Sequence, residues 1–310
     1  MNILITGGNG FIGSHLVDCL AASKQHQVVV LDLYPRAYEP APENVTFITG
    51  NMDDVSLLRR ILIDQGIEVV FHLAWSTNSE TAIKNPAADI SQNLIPTVNL
   101  LEACTLSNVR QVIYHSSGGT VSGIPQSNPV SEDFPTHPIS PYGITKLAAE
   151  KYIRMYHDLF DLKYVILRPS VPYGPRQNPN RRQGAVSVFI YKALRGETIK
   201  IWGDGEALRD YFYIDDLTTA LQTVLDMSEP ANAIFNLAGQ KTYTLNQMVR
   251  IIEEVLGVKA NVIYESGRKF DVPSLQLNID KAMENLNWSP TTRMEDGIRN
   301  TASWIQKWFV

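Results

Sequence analysis

Asn2-Ile3-Leu4-Ile5-Thr6-Gly7-Gly8-Asn9-Gly10-Phe11-Ile12-Gly13 is the stretch on which the fold turns. Ile3, Leu4 and Ile5 make a short apolar strand. The glycines then make a tight turn, and Leu16, Val17 and Leu20 follow at helical spacing. A strand that runs through such a turn straight into a helix is the first half of a strand-helix-strand unit. Glycine lets the backbone double back and come close to whatever lies above the strand. The helix start leaves free N–H groups and a partial positive charge at the same place, so an anion such as a pyrophosphate is the natural occupant.

Working outward, β-branched runs near 27–32, 45–49, 68–74, 111–117 and 164–169 alternate with longer helix-period segments. Parallel strands joined by right-handed crossovers give an α/β fold, a doubly wound sheet with helices on both faces and ligands at the strands' carboxyl ends. The alternation breaks near residue 170, in the Pro-, Gly- and Arg-rich stretch from Pro172 to Gly184. Residues 1–170 are therefore expected to form the dinucleotide-binding domain, and 171–310 mostly a smaller C-terminal substrate lobe. A strand-like run at 233–238 can rejoin the first sheet.

Asp32 ends the second strand, 19 residues past Gly13. A carboxylate there accepts hydrogen bonds from both adenosine-ribose hydroxyls and repels a 2′-phosphate, which favours NAD over NADP. The backbone of Gly7, Gly10, Phe11, Ile12 and Gly13 is expected to meet the same dinucleotide. A net charge of −5 without basic blocks, the Arg181-Arg182 pair apart, argues against a nucleic-acid partner. Two cysteines, both in predicted helices, suit a reducing compartment. No leader precedes the first strand and no apolar run nears the ~18 residues a bilayer requires, so a cytoplasmic protein without a membrane partner is expected. No metal site is read.

Ser140-Pro141-Tyr142-Gly143-Ile144-Thr145-Lys146 reads as a helix start, with Ser140 as N-cap and Pro141 in the first turn. Tyr142 and Lys146, at i and i+4, then share one face. An ammonium beside a phenol favours phenolate, and an oxidised nicotinamide ring would add to that. The pair can take a proton from a sugar hydroxyl while the dinucleotide accepts the hydrogen on carbon.

Taken together, the glycine loop, Asp32 and Tyr142/Lys146 resemble the extended short-chain dehydrogenase/reductase family of nucleotide-sugar epimerases and dehydratases. Phe71-His72-Leu73-Ala74, Asn93, Arg168-Pro169, Tyr173-Gly174-Pro175-Arg176 and Gly203-Asp204-Gly205 to Tyr211 match as well. The resemblance covers essentially the whole chain and implies the NAD-binding Rossmann form of the sheet. It further implies that Asn51, Met52, Leu73, Ala74, Asn93 and Ser116 contact the cofactor. Arg209 and Arg268 would grip a sugar nucleotide's diphosphate, and Trp202 would pack on its base or else be a buried core residue.

Within that family, dehydratases carry an Asp-Glu pair where this chain has Gly119 and Thr120, which leaves 4-epimerisation through a transient ketone as the expected reaction. Gly118 stands where the family has a serine or threonine hydroxyl. Thr120 is expected to replace it, ahead of Ser117, because alternation along a strand end puts Thr120 on the same side as Gly118. Ser122, Asn51 and Val171 likewise differ from the usual tyrosine, aspartate and asparagine. Leu275, seven residues after Arg268, replaces a bulky tyrosine associated with exclusion of N-acetyl groups. UDP is the favoured nucleotide, with a plain or N-acetylated hexose, and a homodimer through helices near Asn93 and Tyr142 is the family expectation. Two other readings stay open: a dehydratase or oxidoreductase with net change at the sugar, and a non-catalytic NAD-binding regulatory protein.

Overall fold

In the computed structural model the described residues are 1–37, 42–181, 184–227, 231–268 and 272–310. Arg182 of the basic pair lies outside them. Among them the strands run, in chain order, β1 (Asn2–Thr6), β2 (Gln27–Asp32), β3 (Val45–Thr49), β4 (Val69–His72), β5 (Gln111–His115), β6 (Lys163–Pro169), β7 (Val171–Tyr173), β8 (Ile199–Trp202), β9 (Leu208–Tyr213), β10 (Ala233–Leu237), β11 (Thr242–Thr244) and β12 (Val262–Glu265).

Seven of these strands form one sheet in the order β10-β6-β5-β4-β1-β2-β3. Every pairing from β6 across to β3 is parallel. The chain lays down β1, β2 and β3 in one direction, then crosses back to put β4 on the other side of β1. That reversal opens a crevice at the carboxyl ends of β1 and β4. Ile3, Leu4, Ile5, Val69, Val70 and Phe71 are completely buried because helices cover both faces, which is why these strands read as continuous apolar runs. Ala233–Leu237, as β10, lies at the edge of this sheet beside β6.

The described residues divide into two compact units. The first comprises 1–121, 138–168 and 220–235; the second comprises 122–137, 169–219 and 236–310. Two segments thus depart from the single cut near 170. Residues 122–137 join the second unit because the Val130 N–H donates to the Gln276 carbonyl and Val130's own carbonyl accepts from Asn278, both at 2.8 Å, while Glu132 accepts from the Asn236 N–H. Residues 220–235 return to the first unit, where Asn232 accepts from the Tyr164 N–H and Gln222 lies against the Cys19 thiol. Such long-range pairings leave no mark on local periodicity.

The second unit, taken by itself, holds a small β11-β9-β7 sheet and a parallel β12-β8 pair. The helix Met294–Phe309 closes the chain.

Candidate functional site

The glycine turn is held from below and from the side. The Gly7 N–H donates to the Leu31 carbonyl, Gly10 N–H to the Gly7 carbonyl and Ser14 N–H to the Gly10 carbonyl. Gly7 has φ +74°, and a Cβ there would come 2.7 Å from the Ala74 backbone. At Gly13 a Cβ would collide with the Gly7 carbonyl oxygen. The loop and the helix Phe11–Ser23 can therefore close on each other only with glycine at these positions. Asp32 sits at the end of β2 with one carboxylate oxygen accepting from the Asn9 N–H at 3.0 Å and the other from the Tyr34 N–H at 3.1 Å. It orders the loop, and its remaining lone pairs can serve a ribose. Arg36, a nearby cation, is ion-paired with Asp18.

The second half of the site starts at the helix Pro141–Phe160. Ser140 caps it by accepting from the Gly143 N–H at 3.2 Å. Half-buried Tyr142 and buried Lys146 leave this helix on one face, and Glu150 continues the same row one turn later. The Lys146 ammonium donates to the His115 carbonyl at 2.7 Å and sits 3.7 Å from the centre of the Trp75 ring, 5.0 Å from that of Tyr114 and 5.9 Å from that of Tyr142.

The electrostatics correct one expectation. Burial, and then the Asp89 charge, push the Tyr142 phenol above its ordinary range. Burial pulls Lys146 well below the usual ammonium range, opposed by the Glu150 and Asp89 charges. The chain's own groups thus disfavour phenolate, because burial and the Asp89 carboxylate both raise the phenol while burial weakens the ammonium beside it.

The turn after β5 corrects another. Strand geometry stops at His115, and Gly118–Val121 is a short helical turn in which the N–H groups of Thr120 and Val121 donate to the Ser117 carbonyl. Residues two apart on a helix do not share a face, so the alternation argument for Thr120 fails. Thr120 nevertheless has a buried hydroxyl with no hydrogen-bond partner among the described residues.

Several expected cofactor contacts have their side chains committed elsewhere. Ser116 is fully buried and donates to Glu150, which in turn takes a forked pair from Arg168 at 3.0 and 2.7 Å. Asn93 donates to the Asp89 side chain and carbonyl and to Thr77, and accepts from the Ser76 N–H and hydroxyl. Met52 packs into the core and Asn51 turns onto Asp53. At these positions only backbone, or an exposed edge of Asn51, is open to a ligand. Leu73 and Ala74 do flank the glycine turn, with the Leu73 N–H on the Thr6 carbonyl.

Beneath them lies a fixed polar chain. Thr97 Oγ1 donates to the Asn93 carbonyl, so it must accept from His72 Nε2, which leaves His72 Nδ1 to accept from Thr6 Oγ1; both ring contacts are 2.8 Å. Burial holds His72 neutral, its pKa pulled down to about 3.

In the second unit, Trp202 at the end of β8 is 41% exposed, which removes the buried-core alternative. The Arg268 guanidinium lies 4.4 Å over its ring, and Arg209 donates to the Leu208 carbonyl at 2.7 Å. Leu275 is buried. Sequence reasoning missed Trp75, Asp89 and Glu150. Glu150 was findable, four residues past Lys146; nothing local marks the other two.

A model of the NAD dependent epimerase/dehydratase family matches residues 3–238. The chain is 34% identical over 313 residues to a UDP-glucose 4-epimerase of Mycolicibacterium smegmatis, covering 99% of both. It superposes on a UDP-glucose 4-epimerase of Thermotoga maritima solved with UDP-glucose, with TM-score 0.94, 36% identity and 99% of both chains covered. For a Thermus thermophilus UDP-glucose 4-epimerase solved with NAD, the TM-score is 0.91 at 31% identity, again over 99% of both chains.

Proposed function

Because the chain belongs to the NAD dependent epimerase/dehydratase family, we propose that it interconverts UDP-hexoses differing at carbon 4, with Tyr142 and Lys146 as the reactive pair. The observation that supports this most is their placement: side by side on a capped helix whose Gly143 packs against the Thr120 carbonyl, Thr120 having a buried hydroxyl with no partner among the described residues. The residues also fit the dinucleotide. The glycine turn leaves no room for side chains at Gly7 and Gly13, and Asp32 stands at the ribose end.

The chemistry supplied by bound NAD is reversible oxidation at carbon 4, together with a positive charge near the phenol. Tyr142 takes the proton from the 4-hydroxyl and later returns it. Lys146 keeps a positive charge beside that exchange, and Thr120 hydrogen-bonds the reacting oxygen. Arg209 and Arg268 hold the diphosphate by forked hydrogen bonds and Trp202 packs on the base, so the sugar can turn while the nucleotide stays fixed. Residues 1–170, with the returning strand, serve the cofactor; the remainder serves the sugar nucleotide.

Incubation with UDP-glucose, followed by anomeric NMR, tests this reading. Equilibration of the two carbon-4 epimers without dinucleotide release or net reduction is expected. A keto product or stoichiometric reduced cofactor points instead to a dehydratase or oxidoreductase, and bound NAD with no sugar turned over points to a regulatory role. UDP-N-acetylhexosamines are also accepted, given Leu275 in place of a bulkier ring; inactivity on them beside good activity on plain hexoses removes that part.

A homodimer is proposed through the helices Ile95–Thr105 and Pro141–Phe160, whose Ile95, Ile144, Tyr152, Met155 and Leu159 side chains are exposed. Among the described residues no helix is long and apolar enough to cross a membrane. Cys19 and Cys104 are free thiols, in keeping with the proposed cytoplasmic setting.

A further inference from the structure

Lys146 is 2% exposed, and among the described residues its ammonium donates to the His115 carbonyl. The face of Trp75 also covers it, 3.7 Å from nitrogen to ring centre. The same indole meets the Tyr142 ring edge-on at 6.1 Å and the Tyr114 ring at 6.3 Å. Trp75 therefore packs against both members of the reactive pair, whose own separation is 5.9 Å from the Lys146 nitrogen to the Tyr142 ring centre. Its position is set by the glycine turn, since Ala74, the residue before it, packs against Gly7.

Indole nitrogen does not explain its presence. Trp75 Nε1 is buried without a hydrogen-bond partner among the described residues. What the side chain offers is the negative face of a large ring, held against a desolvated cation.

We propose that Trp75 is the positioning residue of the Tyr142/Lys146 pair: its ring face holds the Lys146 ammonium and its edge sets the Tyr142 ring. The proposal rests on Tyr142 and Lys146 being the reactive pair. The titratable and charged groups around Lys146 are Tyr142 and Glu150 on its own helix, Tyr114 and His115 on β5, His72 on β4, and Asp89 at the end of the short helix Pro86–Asp89. The two carboxylates favour the ammonium; burial opposes it. An aromatic face favours the cation without adding negative charge next to the phenol, which a third carboxylate would do.

The holoenzyme carrying Trp75→Phe, Trp75→Leu or Trp75→Met is compared with wild type and with Tyr142→Phe. Two readouts are taken: the pH profile of kcat on UDP-glucose, and the Tyr142 phenolate absorbance on pH titration, isolated by subtracting the Tyr142→Phe spectrum. Leu and Met, which have no ring face, should move the acid limb and the phenolate transition to higher pH by about one unit. At neutral pH kcat should fall about tenfold, with KM changed less than about twofold. Phe should restore the limb toward its wild-type position. A wild-type pH profile in both the Leu and Met variants overturns the proposal, as does a Phe variant shifted as far as they are. Wild-type turnover in Tyr142→Phe overturns the reactive-pair reading instead, whatever the Trp75 variants do.

Discussion

Gly143 is the residue that lets the reactive helix approach the turn after β5, and Gly143→Ala should separate them. A Cβ at this position would lie 2.7 Å from the Thr120 carbonyl oxygen and 3.0 Å from Pro138 Cβ. Neither neighbour is the free end of a flexible chain. Restoring an ordinary contact of 3.4 Å to the carbonyl requires a displacement of about 0.7 Å. Stability falls by no more than about 3 kcal/mol, because overpacking costs about 1–3 kcal/mol while replacing a helical glycine by alanine returns up to about 1 kcal/mol. A chain of this length should then lose no more than a few degrees of Tm. Catalysis is less forgiving. A shift of this size between Tyr142 and Thr120 is large against the tolerance for proton transfer, where an error near 1 Å costs on the order of 100-fold. We expect kcat on UDP-glucose to fall between about 10- and 100-fold, with KM and NAD affinity nearly unchanged, by stopped assays read by NMR and by calorimetric titration. A variant that keeps kcat within about threefold would refute the steric argument.

Thr120→Ala should depress turnover far more than Ser117→Ala, measured as kcat on UDP-glucose; the reverse order removes Thr120 from its proposed role. Arg168→Met leaves the Glu150 carboxylate buried with Ser116 as its remaining side-chain donor among the described residues and should cost about 3–5 kcal/mol in denaturant melts, while adding Glu150→Leu should recover most of it. Asp210 is buried, accepts from the Leu277 N–H at 2.7 Å through one oxygen and has no partner for the other among the described residues. Burial raises its pKa from 3.8 to about 7. The folded state therefore binds this proton more tightly than the unfolded chain, so Asp210 lowers stability as pH rises from about 4 toward 7. Asp210→Asn should flatten that slope in thermal melts, and an unchanged slope would assign it to other groups.

Sequence alone determined what depends on local period and local chemistry. β1, β2 and β3 were legible to the residue because buried parallel strands are short apolar runs between turn residues, and the Ser140 cap, the Pro141 start and the Tyr142/Lys146 spacing follow from helix geometry. The glycine turn was legible in part for the same reason: Gly13 is required by crowding against the Gly7 carbonyl within one strand-helix unit, whereas Gly7 is crowded by the Ala74 backbone, distant in the chain. Tertiary structure decided what depends on partners distant in the chain. Ser116 and Asn93 look like ligand contacts until Glu150, Asp89 and Ser76 are seen to occupy their polar atoms. Segment 122–137 changes units through pairings with residues near 277 and 236. The charge balance on Tyr142 also reversed, because desolvation is a property of everything packed around a group, and Trp75 and Asp89, which surround this pair, lie more than fifty residues from it in the chain.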